Sequence, residues 1–194
     1  MELSDYHQQY QNQTDVEILQ KAFEKKQELD QIFCQLALKT DSERIKVGVL
    51  GCGDKRMVAH HRDIFKDLFN KEIELITYDI VIDHLLGEEN IYQHDCTLPL
   101  PHGPFDVTYG HVLLKFIETG KQYNLLINSY NSLKPGGLAI YVLNINDIEG
   151  QVKDIPKGQY SVPLQIWKDL LDREKIEWRE IKVKHGVVLV LIKK

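Results

Sequence analysis

The sequence predicts an α/β fold: a three-layer sandwich on a mostly parallel seven-stranded sheet, with an N-terminal helical segment and a C-terminal antiparallel strand. Three observations predict it. Runs rich in β-branched residues alternate with segments of helical period along most of the chain. The first such run ends in "VLGCGD", where two glycines one residue apart lead straight into a helical pattern. The last two runs, "IEWREIKVK" and "VVLVLIKK", are separated only by His185 and Gly186, too few residues for a crossover. Strands connected through helices pair in parallel and are covered on both faces, whereas strands joined by a tight turn pair antiparallel.

The elements follow in chain order. From about Thr14 to Leu38, Val16, Leu19, Phe23, Leu29, Ile32, Phe33 and Leu36 recur at roughly helical intervals, with Thr14 or Asp15 as the N-cap. After the polar "KTDSER" comes the strand "IKVGVL", then the glycine turn, then a helix with Met57, Val58, Ile64, Phe65 and Leu68 on one stripe. Strands are expected at Ile73 to Asp79, Asn90 to Asp95, Phe105 to Gly110 and Leu138 to Asn144. Between the last two, "KQYNLLINSYNSL" has a helical period and stops at "KPGG", where Pro and Gly turn the chain. "PLQIWKDLLDREK" supplies one more helix before the terminal hairpin. "NINDIEGQVKDIPKGQYSV" is irregular and reads as a surface loop over one sheet edge.

With 194 residues and 43% hydrophobic content, the chain has material for one domain, residues 1–194, with a proper core. A net charge of −5 with no Lys/Arg block argues against a broad grip on nucleic-acid phosphates. Cys34, Cys52 and Cys96 lack CxxC spacing and are odd in number, so neither a disulfide framework nor a zinc site is indicated. The polar N-terminus has no signal-peptide pattern, and no run is apolar over the span a bilayer requires, so a cytoplasmic protein without a membrane partner is expected.

A ligand lying across the carboxyl ends of parallel strands needs a first strand-to-helix turn nearly free of side chains, and Gly51 and Gly53 meet that need. A nicotinamide-type GxGxxG would require a glycine where Arg56 stands, and the phosphate loop GxxxxGK[ST] is absent. What remains is an ordered set: a GxG loop, Asp79 closing the second strand, Asp95 after the third, "FDVTYGHVL" at the fourth and "LKPGG" before the fifth.

In that order the chain resembles the class I S-adenosylmethionine-dependent methyltransferases, a Rossmann-like seven-stranded family, from about Lys46 to the C-terminus. The resemblance implies that residues 45–194 form a cofactor-binding core and residues 1–44 a helical lid. It implies S-adenosylmethionine contacts from Leu50, Gly51, Cys52 and Gly53 to the methionine and ribose part, from Asp79 to the ribose hydroxyls and from Asp95 and Cys96 by the adenine, with Ile80 and Gly110 also among the cofactor-binding residues. A carboxylate, being acceptor-only, suits two ribose hydroxyls or an adenine amino group. The chain departs from the family in having Val49 where an acid is common and Lys55 where a third glycine is common.

The implied reaction is in-line methyl transfer to a small-molecule acceptor at oxygen, nitrogen or sulfur. His111, directly after the fourth strand, is the candidate proton acceptor. No Asp/Asn-Pro-Pro-aromatic signature stands at that strand, where the chain reads "YGHV", so nucleic-acid bases are not the expected acceptors. Cys52 and Cys96 read as packing residues, and His60 and His61 as solvated or core-edge histidines. Tyr6, Tyr10 and Phe23 read mainly as packing. The alternatives are a cofactor-binding protein without catalysis and, on a related sheet, a nicotinamide-dependent oxidoreductase.

Overall fold

In the computed structural model, which describes residues 12–150, 155–184 and 186–194, the first regular element is helix α1 (Asp15–Phe33). A capping box starts it: Thr14 Oγ1 accepts from the Glu17 N–H at 3.3 Å while the Glu17 carboxylate accepts from the Thr14 N–H at 2.7 Å. The second half of the helix buries Leu29 and Ile32 as its apolar pattern suggests, but the first half buries a different stripe. Val16, Leu19 and Phe23 are exposed, and the inward face is Ile18, Ala22, Lys25, Glu28, Leu29 and Ile32. Two charged side chains therefore lie on the packed face, and Lys25 lies beside the glycine turn at the carboxyl end of the sheet. Tyr6 and Tyr10 lie outside the described residues.

Strand β1 (Arg44–Leu50) leads through the glycine turn into helix α2 (Lys55–Phe69), whose N-cap, Asp54, accepts from the Arg56 N–H at 2.8 Å. Asn70, left-handed at φ 49°, ends the helix. Strands β2 (Glu72–Asp79), β3 (Ile91–Gln93) and β4 (Phe105–His111) follow with no α-helix between them. Helix α3 (Thr119–Asn131) precedes β5 (Leu133–Asn144). β5 begins earlier than the sequence suggests, because "KPGG" bends within it as a register shift against β4 instead of separating helix from strand. Helix α4 (Leu164–Arg173), β6 (Glu177–Val183) and β7 (Gly186–Ile192) complete the chain.

The strands form one seven-stranded sheet in the order β3-β2-β1-β4-β5-β7-β6, parallel except for β7, which is antiparallel to both β5 and β6. Alternation along the strands divides the core. Val47, Val49, Val188 and Val190 face α1 and α2, while Tyr78, Ala139, Tyr141, Leu189 and Leu191 face α3 and α4. Helices on both faces give the three layers expected. Because Ile18, Leu29 and Ile32 join the same core as β1, α1 is part of that layer. Among the described residues no helix is long and apolar enough to cross a membrane.

The amino end of the sheet is tied by one buried carboxylate. Asp106, 2% exposed, accepts from Lys134 Nζ at 2.7 Å, the Lys46 N–H at 2.8 Å and Thr40 Oγ1 at 3.2 Å. One side chain thus joins β4 to β5, β1 and the segment before β1. Asp106→Ala is expected to cost about 3 kcal/mol in urea unfolding, since it orphans a backbone donor and a cation together. A loss below about 0.5 kcal/mol, the level of an ordinary surface change, would show that the tie contributes little.

Candidate functional site

The chain passes from β1 to β2 and β3 on one side and then crosses to β4 and β5 on the other, so the order reverses between β1 and β4. In open parallel sheets the crevice above such a switch, at the carboxyl ends, receives ligands. Here three strand ends are flush: Leu50 is in register with Tyr78 on one side and with Gly110 on the other. The next residues along these strands are Gly51, Asp79 and His111, which form a row across the crevice.

Gly51 adopts φ +77°, and a Cβ there would meet Leu113 Cδ1 at 3.0 Å. The positive φ favours glycine at this turn. The loop is held by its neighbours: the Gly51 N–H donates to Tyr78 O at 2.8 Å and the Cys52 N–H to Asp79 Oδ2 at 2.8 Å. The other oxygen of Asp79 accepts from the Val81 N–H at 3.1 Å. The carboxylate is thereby oriented by two backbone donors, and a carboxylate offers about four acceptor directions in all. His84, on the turn after β2, places Nε2 2.7 Å from Cys52 O, which makes Nε2 the protonated nitrogen and pins the glycine loop from below.

Around this row the sequence-predicted residues divide. Ile80, next to Asp79, is 56% exposed, an apolar side chain left at the rim of the crevice. Cys52 and Cys96 are buried, and burial pushes both thiols up to about 12, so they are packing residues without nucleophilic character. Asp95 is exposed, and its Oδ1 accepts from the Thr97 N–H at 2.9 Å and Thr97 Oγ1 at 2.7 Å, an arrangement that shapes the turn after β3. The β2 and β3 ends meet through the His94 N–H, which donates to Asp79 O at 2.9 Å. Gly110 packs against Tyr141, whose ring would be 3.2 Å from an added Cβ. Lys55 is exposed at the first turn of α2, and Val49 is buried in the core.

On the β4 side of the loop lies a small enclosed cavity, lined by Lys25, Cys52, Gly53, His61, Tyr109 and His111 among others. Its polar lining was not evident from sequence. Lys25 comes from α1, is 7% exposed and has its Nζ 5.9 Å from the Tyr109 ring centre. Burial pushes the Lys25 ammonium down to about 7, with neighbouring Glu28 acting in the opposite direction. Glu28 itself reaches His111: Oε2 lies 3.1 Å from Nε2. Burial pushes the His111 imidazole down to about 4, with the Lys25 charge acting the same way and the hydrogen bond to Glu28 opposing both. The ring is therefore neutral at pH 7, Nε2–H donates to the carboxylate, and Nδ1 carries the lone pair. His61, 3% exposed, has no hydrogen-bond partner at either ring nitrogen, and burial holds it well below the ordinary histidine range.

Arg56, which stands where a nicotinamide-type motif would have its third glycine, is an anchor of the loop. Its guanidinium grips Asp54 through Nε at 2.9 Å and Nη2 at 2.6 Å, and its Nη1 donates to Asp15 at 2.7 Å and to Gln13 O at 3.0 Å. The residue ties the start of α1 to the glycine loop. Among the described residues no cluster of three or more His, Cys, Asp or Glu side chains could hold a metal ion.

This strand order, with a glycine turn after β1 and an acid closing β2, is the fold of class I S-adenosylmethionine-dependent methyltransferases. Among similar solved structures is an S-adenosylmethionine-bound amino-pentose methyltransferase from Micromonospora echinaspora, with TM-score 0.68, 10% identity, and coverage of 100% of this chain and 98% of that one. An S-adenosylmethionine-dependent methyltransferase from Clostridium acetobutylicum superposes with TM-score 0.62 at 10% identity, over 89% of this chain and 91% of that one. An O-methyltransferase family protein from Burkholderia thailandensis gives TM-score 0.62 at 11% identity over 87% of this chain. The chain spans little more than half of that last protein, 56% of its length. No protein-family model matches the chain, and no curated protein matches it in sequence.

Proposed function

We propose that the protein binds S-adenosylmethionine across the ends of β2, β1 and β4 and transfers its methyl group to a small-molecule acceptor. The observation that carries this reading is the flush row of Gly51, Asp79 and His111 at the switch point, with Gly51 in the left-handed conformation at φ +77°. The residues fit the cofactor: a bare turn for the methionine and ribose part, an oriented carboxylate for the ribose hydroxyls, and exposed Ile80 as an apolar face beside the adenine. Asp95 and Cys96, next to the β3 end, complete the adenine side, and Leu50 and Gly110 frame the loop between them.

When bound, S-adenosylmethionine supplies a methyl group already activated by its sulfonium, displaced in line by the acceptor. The protein's task is then mainly to hold the acceptor atom on axis, and such positioning alone supplies roughly 7–11 kcal/mol of barrier reduction. His111 takes the proton that an amine or hydroxyl acceptor releases, through Nδ1, while Glu28 fixes the tautomer by accepting from Nε2–H. Burial keeps His111 neutral and so ready to accept at pH 7. Lys55, which stands where the family commonly has a third glycine, is exposed at the start of α2 and lines a surface pocket with Gly53 and Asp83. Residues 1–11, the part of the expected lid that precedes α1, lie outside the described residues.

Turnover tests this reading. Purified protein with S-adenosylmethionine and a panel of small hydroxyl and amine compounds, amino sugars included, is expected to release S-adenosylhomocysteine with at least one of them. Cofactor binding without turnover across a broad panel would favour a binding protein without catalysis.

A further inference from the structure

We infer that Lys25, on α1, binds the α-carboxylate of the cofactor's methionine end and so supplies a charge contact to the cofactor from outside the sheet. The inference rests on the proposed S-adenosylmethionine site. Val49, at the β1 end of this cavity, is buried and brings no charge to it. Lys25 is 7% exposed, lines the cavity beside Gly53, and makes no ion pair within 4 Å among the described residues. The nearby carboxylate, Glu28, is directed to His111 at 3.1 Å. A buried ammonium without a counter-ion is costly and is retained where an anion arrives to meet it.

A second observation points the same way. His61 is 97% enclosed, taking its 3% exposure from the whole, and neither of its ring nitrogens has a partner in the same cavity. Lys25 and His61 approach the cavity from α1 and α2 while the glycine loop closes it from the sheet, so one small acceptor group could engage donors from three elements. The titratable groups around Lys25 are Lys21 and Glu28 on its own helix, Cys52 on the loop, and His61 and His111 opposite. None of the facing groups from α2 or β4 is an anion. The lowered basicity of Lys25 agrees with an ammonium held without its anion.

Two ligands separate this inference from the reading on which it rests. S-adenosylhomocysteine carries the amino-acid end, whereas 5′-methylthioadenosine keeps the adenine and ribose and lacks it. Calorimetry on the wild-type protein should show a preference for S-adenosylhomocysteine of at least about 10-fold. In Lys25→Met, S-adenosylhomocysteine should weaken by about 10- to 100-fold, the value of one charge-assisted hydrogen bond, with methylthioadenosine unchanged within twofold. Retained methylthioadenosine binding also shows that the variant is folded. Equal affinity of wild type for the two ligands, or loss of both together in the variant, would overturn the role of Lys25. Wild-type protein that binds neither would overturn the cofactor site itself and this inference with it.

Discussion

Asp79→Ala is expected to weaken S-adenosylhomocysteine binding by more than tenfold. Two ribose hydroxyls would lose an ionised acceptor, and hydrogen bonds to charged groups contribute roughly 1.5–3 kcal/mol each. The change also releases the Cys52 and Val81 N–H groups, which the carboxylate now holds at 2.8 and 3.1 Å, so the glycine loop itself should loosen. Stability is therefore expected to fall as well, by about 1–3 kcal/mol for a buried donor left without an acceptor. Asp79→Asn separates the two effects, because it keeps one carbonyl acceptor and the side chain's shape. Calorimetry on folded Asp79→Ala checks the prediction: an unchanged dissociation constant would place the ribose elsewhere.

His111→Ala is expected to lower turnover by roughly 10²-fold once an acceptor is in hand, the usual contribution of a positioned proton acceptor. The pH dependence carries more information than the rate. Since the folded imidazole is held down to about 4, the wild-type rate should hold through neutral pH and fall only as pH drops toward 4. The Glu28 hydrogen bond raises that value, so Glu28→Gln should move the acid limb to still lower pH while reducing the plateau through loss of tautomer control. The same shift acts on stability. Between about pH 6.5, the ordinary histidine value, and pH 4, the unfolded chain takes up protons that folded His111 refuses, so stability falls as pH is lowered through that window. A pH–rate profile identical in wild type and His111→Ala would leave positioning as the whole mechanism.

Much of this site is visible in the sequence, for reasons that can be stated residue by residue. Gly51 and Gly53 stand at the turn after the first strand, Gly51 with a positive φ that favours glycine, and Asp79 closes a strand whose apolar run is plain. His111 was marked by its place directly after the fourth strand. The contribution of α1 was not visible. Its most obvious apolar residues, Val16, Leu19 and Phe23, are exposed, and Lys25 and Glu28 are buried although charged helix residues ordinarily face solvent. Helical period alone cannot reveal such an inversion, because what draws Lys25 and Glu28 inward is the polar crevice at the sheet's carboxyl edge, a feature of tertiary structure.

Arg56 and Asp95 show the opposite limit. From sequence, Arg56 is only an obstacle to one glycine motif, yet the fold uses it to bridge Asp54 and Asp15, two acids 39 positions apart. Asp95 reads as a ligand-facing acid, and one of its oxygens is engaged in its own turn by Thr97. Start points also shifted where bends were involved: "KPGG" breaks register within β5 without ending it, since glycine with positive φ permits a bulge as readily as a loop.

The crevice above Gly51 and Asp79 is the proposed site for S-adenosylmethionine. Titration calorimetry of the wild-type protein with S-adenosylhomocysteine and, in parallel, with NAD tests it most directly. The account predicts saturable binding of S-adenosylhomocysteine at one site per chain and no heat from NAD. Heat from NAD with none from S-adenosylhomocysteine at millimolar concentration would contradict it.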